Sequence, residues 1–111
     1  MATIKKHDDI TRQIYHRPSV IGLTGIVLSC RESNLIQLDG NLYHQPDNLC
    51  FDPSTKTLYN IEYKQNRGAV KATFQLTQQE AWLHNIFPDY HIRNLYVYND
   101  FVVEELKHKS R

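Results

Sequence analysis

The sequence predicts an α/β or α+β domain: one central sheet with few helices. Strand-like segments rich in β-branched and aromatic residues dominate the second half, above all "TLYNIEYK" at 57–64 and "IRNLYVY" at 92–98. Compact turn signals separate such segments: Asp39-Gly40, Asp52-Pro53-Ser54-Thr55-Lys56 and Asn99-Asp100. Helical spacing is confined to the first third and to one stretch near 77–87. The expected order is helix, several strands, helix, strand, strand.

The 111 residues suit one domain, 1–111, with a core that needs no disulfide or metal staple. Hydrophobic residues at 41% and charged residues at 23% are ordinary for a globular chain, which argues against disorder. The polar ends, 1–8 and 107–111, are expected to be flexible. A formal charge of +1 excludes the strongly basic profile of a protein that coats nucleic acid, but not a local basic face. The longest apolar-rich stretch, Val20 to Leu28, is too short to span a membrane and too far in for a signal peptide. A soluble intracellular (cytoplasmic) protein without a membrane partner is therefore expected. Cys30 and Cys50 form no CxxC and are expected as reduced core residues.

Taken in order, Asp8 and Asp9 are placed to cap a short helix through Ile10, Ile14 and Tyr15, ended by Pro18. Val20, Leu23, Val27 and Leu28 give Ser19–Glu32 a helical spacing, although Gly22 and Gly25 each cost a helix about 1 kcal/mol relative to Ala. Leu35 to Leu38 and Leu42 to Gln45 read as two strands joined at Asp39-Gly40. Asp47 to Phe51 continues the sheet, and Thr57–Lys64 returns from the Asp52–Lys56 turn. Thr77 and Glu80 have the spacing of a capping box, in which each side chain satisfies the other's free backbone N–H. Trp82, Leu83, Ile86 and Phe87 form that helix's apolar face, and Pro88 stops it. Ile92–Tyr98 and Phe101–Leu106 are the last strands.

One hairpin carries the chemistry. Side chains alternate faces along a strand. Folding the hairpin so that Phe51 meets Leu58 sets Leu49 against Asn60 and Asp47 against Glu62. Directly opposed like charges destabilise a sheet. A divalent cation between the two carboxylates removes that penalty, and paired carboxylates suit a hard ion such as Mg²⁺. Lys64 lies one same-face step beyond Glu62. The bland reading takes Pro46-Asp47 as a turn and Glu62 and Lys64 as a solvated face. Parity placing both acids on one face favours the metal.

Pro46-Asp47, followed by Glu62-Tyr63-Lys64 with Glu62 fifteen positions after Asp47, resembles the PD-(D/E)xK nuclease superfamily. The restriction endonucleases and the archaeal Holliday junction resolvases belong to it. The resemblance covers roughly 19–98 and is strongest over Gln45 to Lys64. It implies an α/β, restriction-endonuclease-like central mixed β-sheet flanked by helices, with the motif on a hairpin. It implies that Asp47, Glu62 and the backbone carbonyl of Tyr63 bind the metal, and that Lys64 positions or activates the attacking water. Many members add an upstream acid, for which Glu32 is the candidate and Asp39 and Asp9 are alternatives. The implied cofactor is Mg²⁺, with Mn²⁺ able to substitute, and the implied partner is DNA.

The activity so implied is metal-dependent DNA endonuclease cleavage, directed at structure (a junction, a branch or an end) in recombination or repair. A homodimer acting on two strands would suit so small a domain. Arg67, Lys71 and Gln78 are the candidate DNA contacts, among glutamines that include Gln75 and Gln79. The alternative is a catalytically inactive nuclease-fold subunit that binds nucleic acid or protein. The six histidines show no close zinc-type pair; His44, near Asp47, is a weaker candidate for touching substrate.

Overall fold

The computed structural model describes residues 2–33, 35–36, 42–65 and 69–106. Helix α1 (Ala2–His16) leads by a short 3-10 turn (Pro18–Ile21) to strand β1 (Leu28–Arg31). Strands β2 (Leu35–Ile36), β3 (Leu42–His44), β4 (Asn48–Asp52) and β5 (Thr57–Lys64) follow. Helix α2 (Ala69–Ile86), β6 (His91–Tyr98) and β7 (Val102–Leu106) complete the described chain. The result is a small mixed α/β protein with a five-stranded sheet in the order β1-β4-β5-β6-β7. All its neighbours are antiparallel except β5 and β6, which run parallel because α2 returns the chain between them.

Several expectations give way to longer-range forces. Residues 2–8, expected as a flexible end, belong to α1, so Asp8 and Asp9 lie inside the helix rather than capping it. The helix expected over Ser19–Glu32 is absent. Gly22 (φ 82°) ends the 3-10 turn and Gly25 (φ 74°) bends the chain into β1. Both angles are left-handed, so no α-helix can run through them. The positive φ favours glycine at position 25, and a Cβ there would also stand 2.9 Å from Asp52 Oδ2. Strands β2 and β3 pair antiparallel as expected, but as a separate two-stranded sheet; the Asp39-Gly40 turn lies outside the described residues. The capping box does not form. Helix α2 starts at Ala69, which leaves Thr77 and Glu80 in its interior. Burial of Leu76 against the sheet explains why the helix extends past the local cap signal.

The two helices cover opposite faces of the sheet. Ile10 and Ile14 of α1 pack with Cys50, Tyr59, Ile61, Tyr63, Leu95 and Val97. On the other face Leu83 of α2 packs with Leu49, Phe51, Leu58 and Ile92, and Trp82 and Phe87 close the edge. Every residue of β5 from Thr57 to Tyr63 is buried, as a strand covered on both sides requires. Cys30 and Cys50 are free thiols packed on opposite faces, and burial pushes the Cys50 thiol up to about 11. Leu83 is fully buried. Leu83→Ala is expected to lower stability by ~2–5 kcal/mol, read as a lower urea midpoint with an unchanged slope.

A polar chain crosses the α2 face. Asn60 Nδ2 donates to Asn94 Oδ1 (3.0 Å) across the parallel pair, and Asn94 Nδ2 donates to Glu80 Oε1 of α2 (2.7 Å). His84 Nε2 stands 3.3 Å from the other Glu80 oxygen. Asn60 and Asn94 are both essentially inaccessible.

Candidate metal centre

The register of β4 and β5 is the one that strand parity requires: Phe51 opposes Leu58, Leu49 opposes Asn60 and Asn48 opposes Ile61. The ladder ends at Asn48 and Ile61, and just past it the Asp47 side chain reaches the Glu62 carboxyl group. The Asp52–Lys56 turn sets this register. Asp52 Oδ1 accepts from the Ser54 amide (3.1 Å) and the Ser54 hydroxyl (2.7 Å), while Lys56 takes a left-handed φ of 55°.

Both acids are buried, Asp47 at 8% exposure and Glu62 at 4%. Asp47 is held at both oxygens: the Tyr63 amide donates to Oδ2 (2.7 Å) and His7 Nε2 lies 3.0 Å from Oδ1. Glu62 is less well provided. Asp47 and Gln79 reach its carboxyl group, and Lys64 Nζ stands 4.0 Å from Oε2. Glu62 Oε1 has no hydrogen-bond partner among the described residues, and neither has Gln79 Oε1. Burial, and then the charge of Asp47, push the Glu62 carboxyl up to about 8. Burial and the neighbouring Asp47 charge thus disfavour an ionised Glu62 unless positive charge is added.

Helix α1 and the end of β1 bring further acids and a histidine to this end of the sheet. The Glu32 amide donates to the Asp47 carbonyl (2.9 Å), which pins Glu32 beside the pair with a left-handed φ of 55°. His7, Asp8 and Glu32 form a group that could hold a metal ion, with one ligand atom from each lying within 4.8 Å of the others. His7 Nδ1 is 3.7 Å from Asp8 Oδ1, and the His7 ring meets Tyr63 edge-on. The hydrogen bond to Asp47 raises the His7 pKa more than its burial lowers it.

The other expected site residues scatter. Gln78 is exposed on α2, and its neighbour Gln79 is the glutamine that faces Glu62. Asp9 pairs with Arg12 (2.6 Å) on the exposed side of α1. Arg67, Asp39 and the side chains of Lys71 and His44 lie outside the described residues. Sequence reading missed His7 and preferred Gln78 to Gln79 among the glutamines, though helical phase points to both His7 and Gln79. His7 shares a face with Ile10 and Ile14, and Gln79 shares one with Leu76 and Leu83.

Among the described residues, no helix is long and apolar enough to cross a membrane. No protein-family model, curated protein or solved structure matches the chain.

Proposed function

We propose that the protein is a metal-dependent DNA endonuclease of the PD-(D/E)xK type, with Asp47, Glu62 and Lys64 as its active centre. The observation that carries this reading is a buried pair of opposed carboxylates, one of which keeps an oxygen without a donor. A chain selected for stability alone avoids such a pair. The order of elements supports it as well: the motif lies on a hairpin inside a mixed sheet, with α1 before it and α2 after it. That is the arrangement the resemblance implies.

The residues that would hold Mg²⁺ are the Asp47 and Glu62 carboxylates and, by resemblance, the Tyr63 carbonyl, an all-oxygen set that suits a hard ion. Mn²⁺ would substitute. When bound, the ion supplies Lewis-acid polarisation of a phosphoryl oxygen and makes water acidic enough to act as nucleophile near neutral pH. Lys64, beside Glu62, orients that water and offsets the charge that builds on the phosphate. Gln79 holds the Glu62 carboxyl group from the α2 side. The P–O bond breaks as water adds to phosphorus, and the departing oxygen takes up a proton. A domain of this size favours substrates distinguished by shape (branches, junctions, ends), and a homodimer would present two such centres.

The test is incubation of the purified chain with supercoiled, branched and single-stranded DNA, in Mg²⁺, in Mn²⁺ and in chelator. Cleavage of at least one substrate that the chelator stops is expected. If all three stay intact with either ion, the enzyme reading falls and a binding subunit replaces it.

A further inference from the structure

We propose that Phe74, on the outer face of α2, stacks on an unpaired or terminal base and so selects branched or frayed DNA over continuous duplex. The proposal deepens the DNA reading above and rests on it.

Phe74 is 63% exposed, more than any other phenylalanine, tyrosine or tryptophan among the described residues. Helical phase puts it there. Leu76, two residues on and ~200° around the helix, is fully buried and packs with Tyr96. Gln79 and Leu83 continue the buried stripe. Thr73, Thr77, Gln78 and Ala81 are exposed along with Phe74 and carry no charge.

Helix α2 passes the metal centre. Its Gln79 reaches the Glu62 carboxyl group, and its Leu76 packs with Tyr96, the neighbour of Glu62 on β6. Leu83 lies further back, with Leu58. The helix therefore runs opposite to β5, and Phe74 lies toward the Lys64 end. Five residues separate Phe74 from Gln79, ~7.5 Å along the axis, or about two base steps of a nucleic-acid strand.

Charge decides which ligand comes to this face. From Lys64 to Gln79 the sequence carries three basic residues, Lys64, Arg67 and Lys71, and no acid, in a chain whose formal net charge is +1. The one acid of α2, Glu80, is turned inward, where it accepts from Asn94 (2.7 Å) and lies 3.3 Å from His84. Glu104 and Glu105 line a small notch with Thr73. Glu104 accepts from the Tyr98 hydroxyl (2.7 Å), and Arg93 grips both oxygens of Glu105 (2.6 and 2.9 Å). A polyanion thus approaches from the β5 side and not over β7. Basic residues beside an exposed ring suit single-stranded nucleic acid, whose phosphates meet the cations while a base meets the ring. Within a continuous duplex each base face is covered by the next base. At a branch, flap or end one face is open, and the ring gains a contact there alone.

The test compares full-length wild type, Phe74→Ala and Phe74→Trp on a Y-branched DNA with single-stranded arms and on the matching duplex. Binding is read by anisotropy, in Ca²⁺ and separately in chelator. A 2-aminopurine at the first unpaired position reports stacking. Wild type is expected to prefer the branched DNA and to change the 2-aminopurine emission. Phe74→Ala is expected to weaken branched binding by ~5- to 100-fold, to leave duplex binding within about 2-fold and to abolish the emission change. Phe74→Trp is expected to restore both. Unaltered branched binding by Phe74→Ala overturns the stacking role and leaves the nuclease reading standing, as does equal weakening on both DNAs. A wild-type dimer in sedimentation that Phe74→Ala splits, with DNA binding unmoved, assigns the face to a second copy and likewise overturns it. Failure of wild type to bind either DNA in either condition sinks the DNA reading itself, and the stacking role with it.

Discussion

Glu62→Ala and Asp47→Ala are each expected to reduce DNA cleavage below detection, yet only Asp47→Ala is expected to lower stability. Asp47 accepts from the buried Tyr63 amide and engages His7, so its removal strands a buried donor. That costs ~1–3 kcal/mol and lowers the melting temperature. Glu62 is a buried acid with an orphaned oxygen, so its removal in the absence of metal is neutral or stabilising. A purely structural role for the pair predicts that activity follows stability. A catalytic role predicts the same loss of activity from a variant that is less stable than wild type and one that is not. Lys64→Ala, which removes the ammonium beside Glu62, is expected to lower kcat by ~100- to 1000-fold with little change in melting temperature. Single-turnover cleavage paired with thermal melts decides the matter. Full activity in a folded Glu62→Ala chain would sink the active centre.

The metal-free protein is expected to lose stability as pH rises from about 4.5 to about 8, the ordinary and the folded values for Glu62. The sign follows from proton counts. Between those values the unfolded chain has released the Glu62 proton and the folded chain still holds it, so rising pH favours unfolding. The loss is on the order of a few kcal/mol. Glu62→Gln carries no such proton and should flatten the slope. Saturating Mn²⁺ should raise the melting temperature of wild type more at pH 8 than at pH 5, because the ion and the proton compete for the same carboxylate. Urea titrations across this range, on wild type and Glu62→Gln, measure both effects. Parallel curves for the two proteins would show that Glu62 does not hold its proton.

What sequence alone revealed depended on how local the deciding interaction was. The β4–β5 hairpin closes through four turn residues, and alternation along each strand sets which side chains meet. Phe51 against Leu58 was therefore legible, and Asp47 against Glu62 with it. The stretch from Ser19 to Glu32 misled because the spacing of Val20, Leu23, Val27 and Leu28 imitates a helix. The left-handed backbone angles at Gly22 and Gly25 decide otherwise, and Gly25 also lies against the Asp52 side chain, far along the chain. Thr77 and Glu80 misled in the same way: a valid cap signal is overridden once Leu76 is buried on the sheet. The arm of the site supplied by His7 spans 40 positions in sequence to reach Asp47. No local pattern encodes that distance, and helical phase alone could have shown that His7 faces inward.

The Asn60–Asn94 contact has a consequence for which fold is reached, as distinct from how stable it is. Parallel strands covered on both faces are greasy and would tolerate sliding past one another by two residues, which preserves every inward and outward direction. Such a slide would set Asn60 against Ile92 or Tyr96 in place of Asn94, and would leave Asn94 against an apolar or carboxylate neighbour. Each stranded amide would cost ~1–3 kcal/mol. The pair thus acts as a key that fits one alignment and penalises its nearest competitors. Since Glu62 follows Asn60 by one same-face step, the key also sets the height at which Glu62 meets Gln79 on α2. An Asn60→Leu, Asn94→Leu chain would exchange that discrimination for grease, and the height of its carboxylate would no longer be singular.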